Sequence, residues 1–99
     1  MARPADVYIA PLGAGMDREA TRLARELRQA GIVVDLGDES FRLKKSLETA
    51  SKLGARYALI VGENEVQSGT FALKHLASGQ QQSVPRSELA GRIQSGEPK

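Results

Sequence analysis

Ala58-Leu59-Ile60-Val61 is the stretch that most constrains the fold of this 99-residue chain. The run is short, uninterrupted and rich in β-branched residues, with Arg56-Tyr57 before it and Gly62 after it. A strand with one face in water alternates apolar and polar residues. An unbroken apolar run predicts a strand covered on both faces, in the middle of a sheet. The remaining elements are expected to pack around it.

Asp6 to Gly13 reads as a first strand closed by Pro11, and Ile32 to Leu36 as a second. Between them Ala20, Leu23, Ala24, Leu27 and Ala30 recur at helical spacing, with Arg18, Arg22 and Arg25 on the opposite face. The spacing predicts a helix from Arg18 to Ala30, capped by Asp17 and ended by Gly31. A second helix, Phe41 to Leu53, turns Leu43, Leu47 and Ala50 inward and Lys44, Lys45, Glu48 and Lys52 outward before Gly54 stops it. Strand, helix, strand, helix, strand with short links predicts a parallel sheet with right-handed crossovers.

After the central strand comes a charged loop, Glu63 to Gly69. Strands at Thr70 to Leu76 and Gln80 to Val84 then flank the Ala77-Ser78-Gly79 turn and form an antiparallel hairpin. A last helix begins at Pro85, with Leu89 and Ile93 as its apolar stripe. The predicted fold class is α/β: a mixed five-stranded sheet, three parallel strands plus an antiparallel hairpin in the order 2-1-3-4-5, flanked by three helices. The chain reads as a single domain over residues 1–99, with 1–5 and 95–99 as frayed ends.

Composition removes several chemistries. There is no cysteine, hence no disulfide or thiolate metal site, and one histidine does not make a His-rich site. No segment is long enough to span a bilayer and the N-terminus lacks the form of a signal peptide, so a cytoplasmic location is the expectation. Lys and Arg number 14 against 12 Asp and Glu, a net charge of +2, so any argument for nucleic acid rests on where the charges sit.

Four constellations stand out. Leu12-Gly13-Ala14-Gly15 before a helix suits a phosphate, but the third glycine of a dinucleotide fingerprint and the Lys-Ser/Thr of a P-loop are absent, which favours a plain strand-to-helix turn. Arg18, Arg22 and Arg25 read as a solvated face, with Glu26 available to Arg22 and a minor role in attracting RNA phosphates. Asp38 and Glu39 read as turn and cap residues. The fourth is Arg42, Lys44 and Lys45, which open a helix directly after a parallel strand.

In open α/β sheets ligands bind beyond the carboxyl ends of the strands. Three such exits are expected, at Gly13 to Gly15, Gly37 to Phe41 and Gly62 to Gln67, placing Arg42 and Glu65 on one rim. Lys74 joins them if the hairpin folds back over that side. A carboxylate accepts from the N–H groups of unpaired RNA bases, and cations take acceptor edges or phosphates. On composition alone a surface ion-pair network explains the same residues better. His75 falls on the sheet face opposite Lys74 and has no serine-and-carboxylate context for catalysis.

The series Gly62-Glu63-Asn64-Glu65, Ser68-Gly69, a strand carrying Lys74, and Ser78-Gly79-Gln80 resembles the anticodon-binding domain at the C-terminus of class IIa aminoacyl-tRNA synthetases. Within that group it is most similar to the histidyl-tRNA synthetases, and Asp6 to Gly13, Gly31 to Gly37 and Arg42 to Leu47 extend the likeness over nearly the whole chain. The resemblance implies that Glu65 and Lys74 contact anticodon bases and that Arg42 lies on the RNA-facing side. Lys44 and Lys45 stand beside it, and Glu63, Asn64 and Gln67 are neighbours of the reading carboxylate.

It further implies histidine tRNA, through its anticodon loop, as partner, together with the catalytic domain of a homodimeric parent. ATP and histidine are used by that catalytic domain, leaving no cofactor, metal or catalytic residue to this one. The chain is then an excised domain or a free-standing paralogue. Two other readings are a protein-interaction or regulatory module docking through the apolar parts of the hairpin, and a small nucleotide-binding enzyme built on the Gly13 to Asp17 turn.

Overall fold

The central strand β3, Tyr57–Val61, lies between parallel β1, Val7–Pro11, and antiparallel β4, Thr70–His75, and all five of its residues are buried. The computed structural model describes residues 4–95. The short strand β2, Val34–Leu36, pairs in parallel with the outer side of β1, and β5, Gln81–Pro85, pairs antiparallel with β4. The order is β2-β1-β3-β4-β5, the order the sequence predicts. Helices α1, Met16–Gln29, and α2, Leu43–Lys52, make the two crossovers. A 3-10 turn, Arg86–Glu88, leads into a final helix, Leu89–Ser95.

Alternation along the strands divides the core into two layers of unequal weight. On one side Val7, Ile9, Leu59, Val61, Phe71, Leu73 and Val84 meet Leu23 and Leu27 of α1 and Leu89 and Ile93 of the last helix. On the other, Tyr8, Ala10 and Ala58 meet Ala50 of α2, with Leu47 and Leu76 partly buried beside them. The second layer is thin because Ala10 and Ala58 are small and one helix covers it. That helix packs on β1 and β3. On the same side of β4 and β5, Ala72 and Lys74 are only half-buried and Gln81 and Ser83 are exposed, so this half of the sheet is an open floor.

Three local expectations are corrected, besides those at the chain ends. The segment read as a charged loop is a helix, α3, Glu63–Ser68, so the described residues hold four α-helices rather than three. Gly62 caps it, Glu63 and Glu65 sit in its first turn, and Gly69 closes it in the left-handed region at φ 76°. Six residues with one apolar member, Val66, are too few to show a helical period. The second strand starts at Val34 rather than Ile32, because Asp6 binds the preceding backbone: its Oδ2 accepts from the Val33 N–H at 3.0 Å. At the ends, Ala5 is buried and Ser95 is the last residue of the last helix, whereas residues 1–3 and 96–99 of the expected frayed termini lie outside the described ones.

The third correction concerns the cap of α1. Gly15, not Asp17, holds the N-cap position, and no side chain of its own caps the helix. Glu39 does so from the loop after β2: its Oε1 accepts the N–H groups of Gly15 at 3.1 Å and Asp17 at 3.0 Å. Asp17 Oδ1 in return accepts the Glu39 N–H at 3.1 Å. This exchange ties the loop leading to α2 onto the start of α1. Glu39→Ala is expected to cost about 1 kcal/mol, the usual worth of a lost cap, measured as a lower urea midpoint at unchanged slope.

Candidate nucleic-acid interface

Helix α2 starts at the carboxyl-end rim of the sheet, with Arg42 as an extended N-cap at φ −75° and ψ 164° whose side chain makes no capping bond. Its inward face is taken by Ser46 and Ala50, which forces Arg42, Lys44, Lys45 and Lys52 outward, and all four are exposed. Together with Ser40 and Glu48 they line an open groove of about 640 Å³. The Lys45 Nζ stands 4.5 Å over the Phe41 ring, a cation–π contact that holds the ammonium at the groove mouth.

The ion pairs of the described residues fall elsewhere. Arg56 meets Asp6 at 3.2 Å, Arg92 meets Glu88 at 3.6 Å, Arg22 meets Glu19 at 4.0 Å and Arg86 binds Glu26. Glu26 is therefore committed to Arg86, not to Arg22 as sequence spacing suggests, because the turn after β5 brings Arg86 to it. None of these pairs involves Arg42, Lys44, Lys45 or Lys74. The surface ion-pair network favoured by composition does not, among the described residues, include these four cations.

At the same rim, β3 runs out into α3. Glu63, Asn64 and Gln67 are exposed and Glu65 is half-buried. Among the described residues the Glu65 carboxylate has neither a hydrogen bond nor an ion pair, so its full accepting capacity is open. Lys74 shares the α2 side of the sheet but not the rim. It pairs with Ala58, four residues before Gly62, so about 13 Å of strand separates its level from the start of α3, at roughly 3.3 Å per residue. The structure thus brings Arg42 and the α3 residues to one edge and sets Lys74 down the open floor, beside Ala72 and opposite Gln81.

Sequence reasoning missed the floor residues Gln81 and Ser83; the signal was available, since Lys74 and the hairpin register place them on the same face. It also placed the apolar hairpin residues at a docking surface. Phe71, Leu73 and Val84 are instead buried beneath the helices, and the exposed large apolar side chains are Leu36, Leu43 and Leu53.

The other candidates have local partners. The Gly13 to Gly15 turn does not offer its N–H groups to a phosphate, because the Glu39 carboxylate occupies the helix start. His75 packs edge-on against Tyr57 at 5.3 Å, and its Nδ1 lies 2.8 Å from the Ser78 Oγ within the hairpin turn. Asp38 accepts the Ser40 N–H at 2.8 Å, and that bond, then the Ser40 hydroxyl, hold its carboxyl below the usual carboxylate range, with nearby Lys45 acting the same way. Burial pushes the Tyr8 phenol up, reinforced by Asp35 and Asp38. Among the described residues no cluster of three or more His, Cys, Asp or Glu is placed to hold a metal, and no helix is long and apolar enough to cross a membrane.

Known proteins share this fold. A family profile described as an anticodon binding domain matches residues 6–96. The histidine–tRNA ligase of Koribacter versatilis is 56% identical over 90 residues, covering 91% of this chain and 20% of that protein. The enzyme of the same name from Solibacter usitatus is 46% identical over 88 residues, covering 89% of the chain and 21% of the enzyme. The chain therefore spans about a fifth of the length of the curated relatives it matches. Among solved structures, histidyl-tRNA synthetase from Nostoc sp. PCC 7120 superimposes with a TM-score of 0.88 at 31% identity, over 94% of this chain and 22% of that one. The RNA binding domain of threonyl-tRNA synthetase from Cryptosporidium parvum shares the fold, with a TM-score of 0.84 at 20% identity over 93% of this chain and 23% of that one. The superposition agrees with the five-stranded sheet, and the chain belongs to the anticodon-binding domain family, in the form found in histidyl-tRNA synthetases.

Proposed function

We propose that this chain binds tRNA and reads the anticodon of histidine tRNA. The observation that carries the reading is the charge at one edge of the sheet: exposed cations at the start of α2 that are in no ion pair among the described residues, and a Glu65 carboxylate without donors. Arg42, Lys44 and Lys45 grip phosphates, the source of affinity without sequence preference. Glu65, which only accepts, selects base edges that present N–H groups, and Lys74, which only donates, takes acceptor edges. Their separation along β3 suits them to different nucleotides. Glu63, Asn64 and Gln67 lie beside Glu65 and trim the same contact.

Aminoacylation, with ATP and histidine, belongs to the catalytic domain of a larger parent, a cytoplasmic homodimer, and not to this chain alone. Glu65→Ala is expected to lower the preference for an RNA hairpin carrying the histidine anticodon over one with exchanged anticodon bases by roughly tenfold, the worth of one good base contact, with thermal stability unchanged. The check is a fluorescence-anisotropy titration of both hairpins. Equal binding of the two hairpins by the unaltered protein would end the reading.

A further inference from the structure

We infer that Gly62 is a positioning residue for base reading: its bare Cα is the seat onto which the Glu65 side chain folds, and a side chain there would swing the carboxylate away from the RNA. The inference rests on the reading of Glu65 as a base contact. Gly62 has φ −118° and ψ 177°, extended backbone open to any residue, so conformation does not explain the glycine. Gly69 at the other end of α3 is the opposite case: it has a left-handed φ of 76° and no neighbour that a Cβ would meet.

The constraint at Gly62 is contact. A Cβ built on it would lie 2.5 Å from Glu65 Oε1 and 3.8 Å from Glu65 Cδ, and within 4 Å it would meet nothing else. Glu65 is the third residue of α3, the position from which a glutamate reaches back over the residue before the helix. No hydrogen bond or ion pair among the described residues holds the carboxylate there. The bare Cα of Gly62 gives it room to fold back, with its oxygens accepting no hydrogen bond among the described residues. The spacing Gly-x-x-Glu is therefore one device, in which the glycine supplies room and the helix turn supplies reach.

Alanine at position 62 displaces a single group, the end of a flexible side chain. Gly62→Ala is expected to keep the fold and its affinity for a mismatched RNA hairpin, and to lose discrimination between matched and exchanged anticodon hairpins by the same roughly tenfold as Glu65→Ala. The double variant Gly62→Ala/Glu65→Ala is expected to lose no more than either single one, since both remove the same contact. If Gly62→Ala fails to fold while the double variant folds, the clash with Glu65 is confirmed by the rescue. If neither folds, something other than Glu65 meets the new Cβ and the inference is overturned. It is equally overturned if Glu65→Ala loses discrimination while folded Gly62→Ala keeps it, or if the two losses multiply. Glu65→Ala retaining full discrimination would overturn the anticodon role of Glu65, and this role of Gly62 with it.

Discussion

Replacing Arg42, Lys44 and Lys45 together by alanine is expected to abolish most RNA affinity while leaving fold and base preference in place. Each phosphate neutralised on a single strand contributes about 0.7 to the slope of log affinity against log salt, so three lost contacts flatten the slope by about 2. The three side chains are exposed and in no ion pair, and Arg42 makes no capping bond to lose. The stability change is confined to the Lys45 contact with the Phe41 ring, about 0.5–1 kcal/mol at an exposed site. Arg18 and Arg25 on α1 supply the control. Helix α1 packs on the opposite side of the sheet, so alanine at both is expected to leave the slope within experimental scatter. Salt-dependent titrations of one RNA hairpin read both outcomes. An unchanged slope in the α2 triple variant would show that the phosphates lie elsewhere.

Leu59→Ala is expected to have the largest effect on the fold. Leu59 is fully buried in β3, opposite Ile9 on β1 and Leu73 on β4. Its neighbours are held by strand pairing on both sides and cannot close the space. Truncation of such a leucine costs about 3–5 kcal/mol, a large share of the roughly 5–15 kcal/mol that stabilises a domain of this size. The melting temperature is expected to fall by on the order of 20 °C. Leu53→Ala, at a residue 50% exposed, is the comparison and is expected to change stability by no more than about 0.5 kcal/mol. Thermal unfolding followed by circular dichroism reads both; a small shift for Leu59 would mean that the sheet can repack around the missing side chain.

Much of the scaffold is legible in the residues. The apolar run at Ala58 to Val61 identifies the central strand, and helical spacing of Leu23 and Leu27 and of Leu43, Leu47 and Ala50 identifies the two crossover helices. Leu43, however, is exposed at the start of α2 rather than turned inward. The strand order follows from short links between alternating elements. Helix α3 is not legible, because Val66 is its only apolar residue against the core and one residue has no period. The Gly62-Glu63-Asn64-Glu65 series marks the exit of β3 while concealing that a helix follows it.

The charges divide the same way. Sequence spacing offers each acid its nearest neighbours along one helix, as with Glu26 and Arg22 or Asp17 and its own helix start. In the folded chain Glu26 binds Arg86, 60 residues away, and Asp17 exchanges bonds with Glu39 across 22 residues. Lys74 follows from register: antiparallel pairing sets it opposite Ala58, down the floor and away from the rim. The five strands and the two crossover helices were determined by the sequence itself, since hydrophobic period and glycine placement act over a few neighbouring residues. Which acid neutralises which base, which cations stay free, and how far apart the reading groups stand were decided only by tertiary structure, since each depends on which distant segments pairing and packing bring into contact.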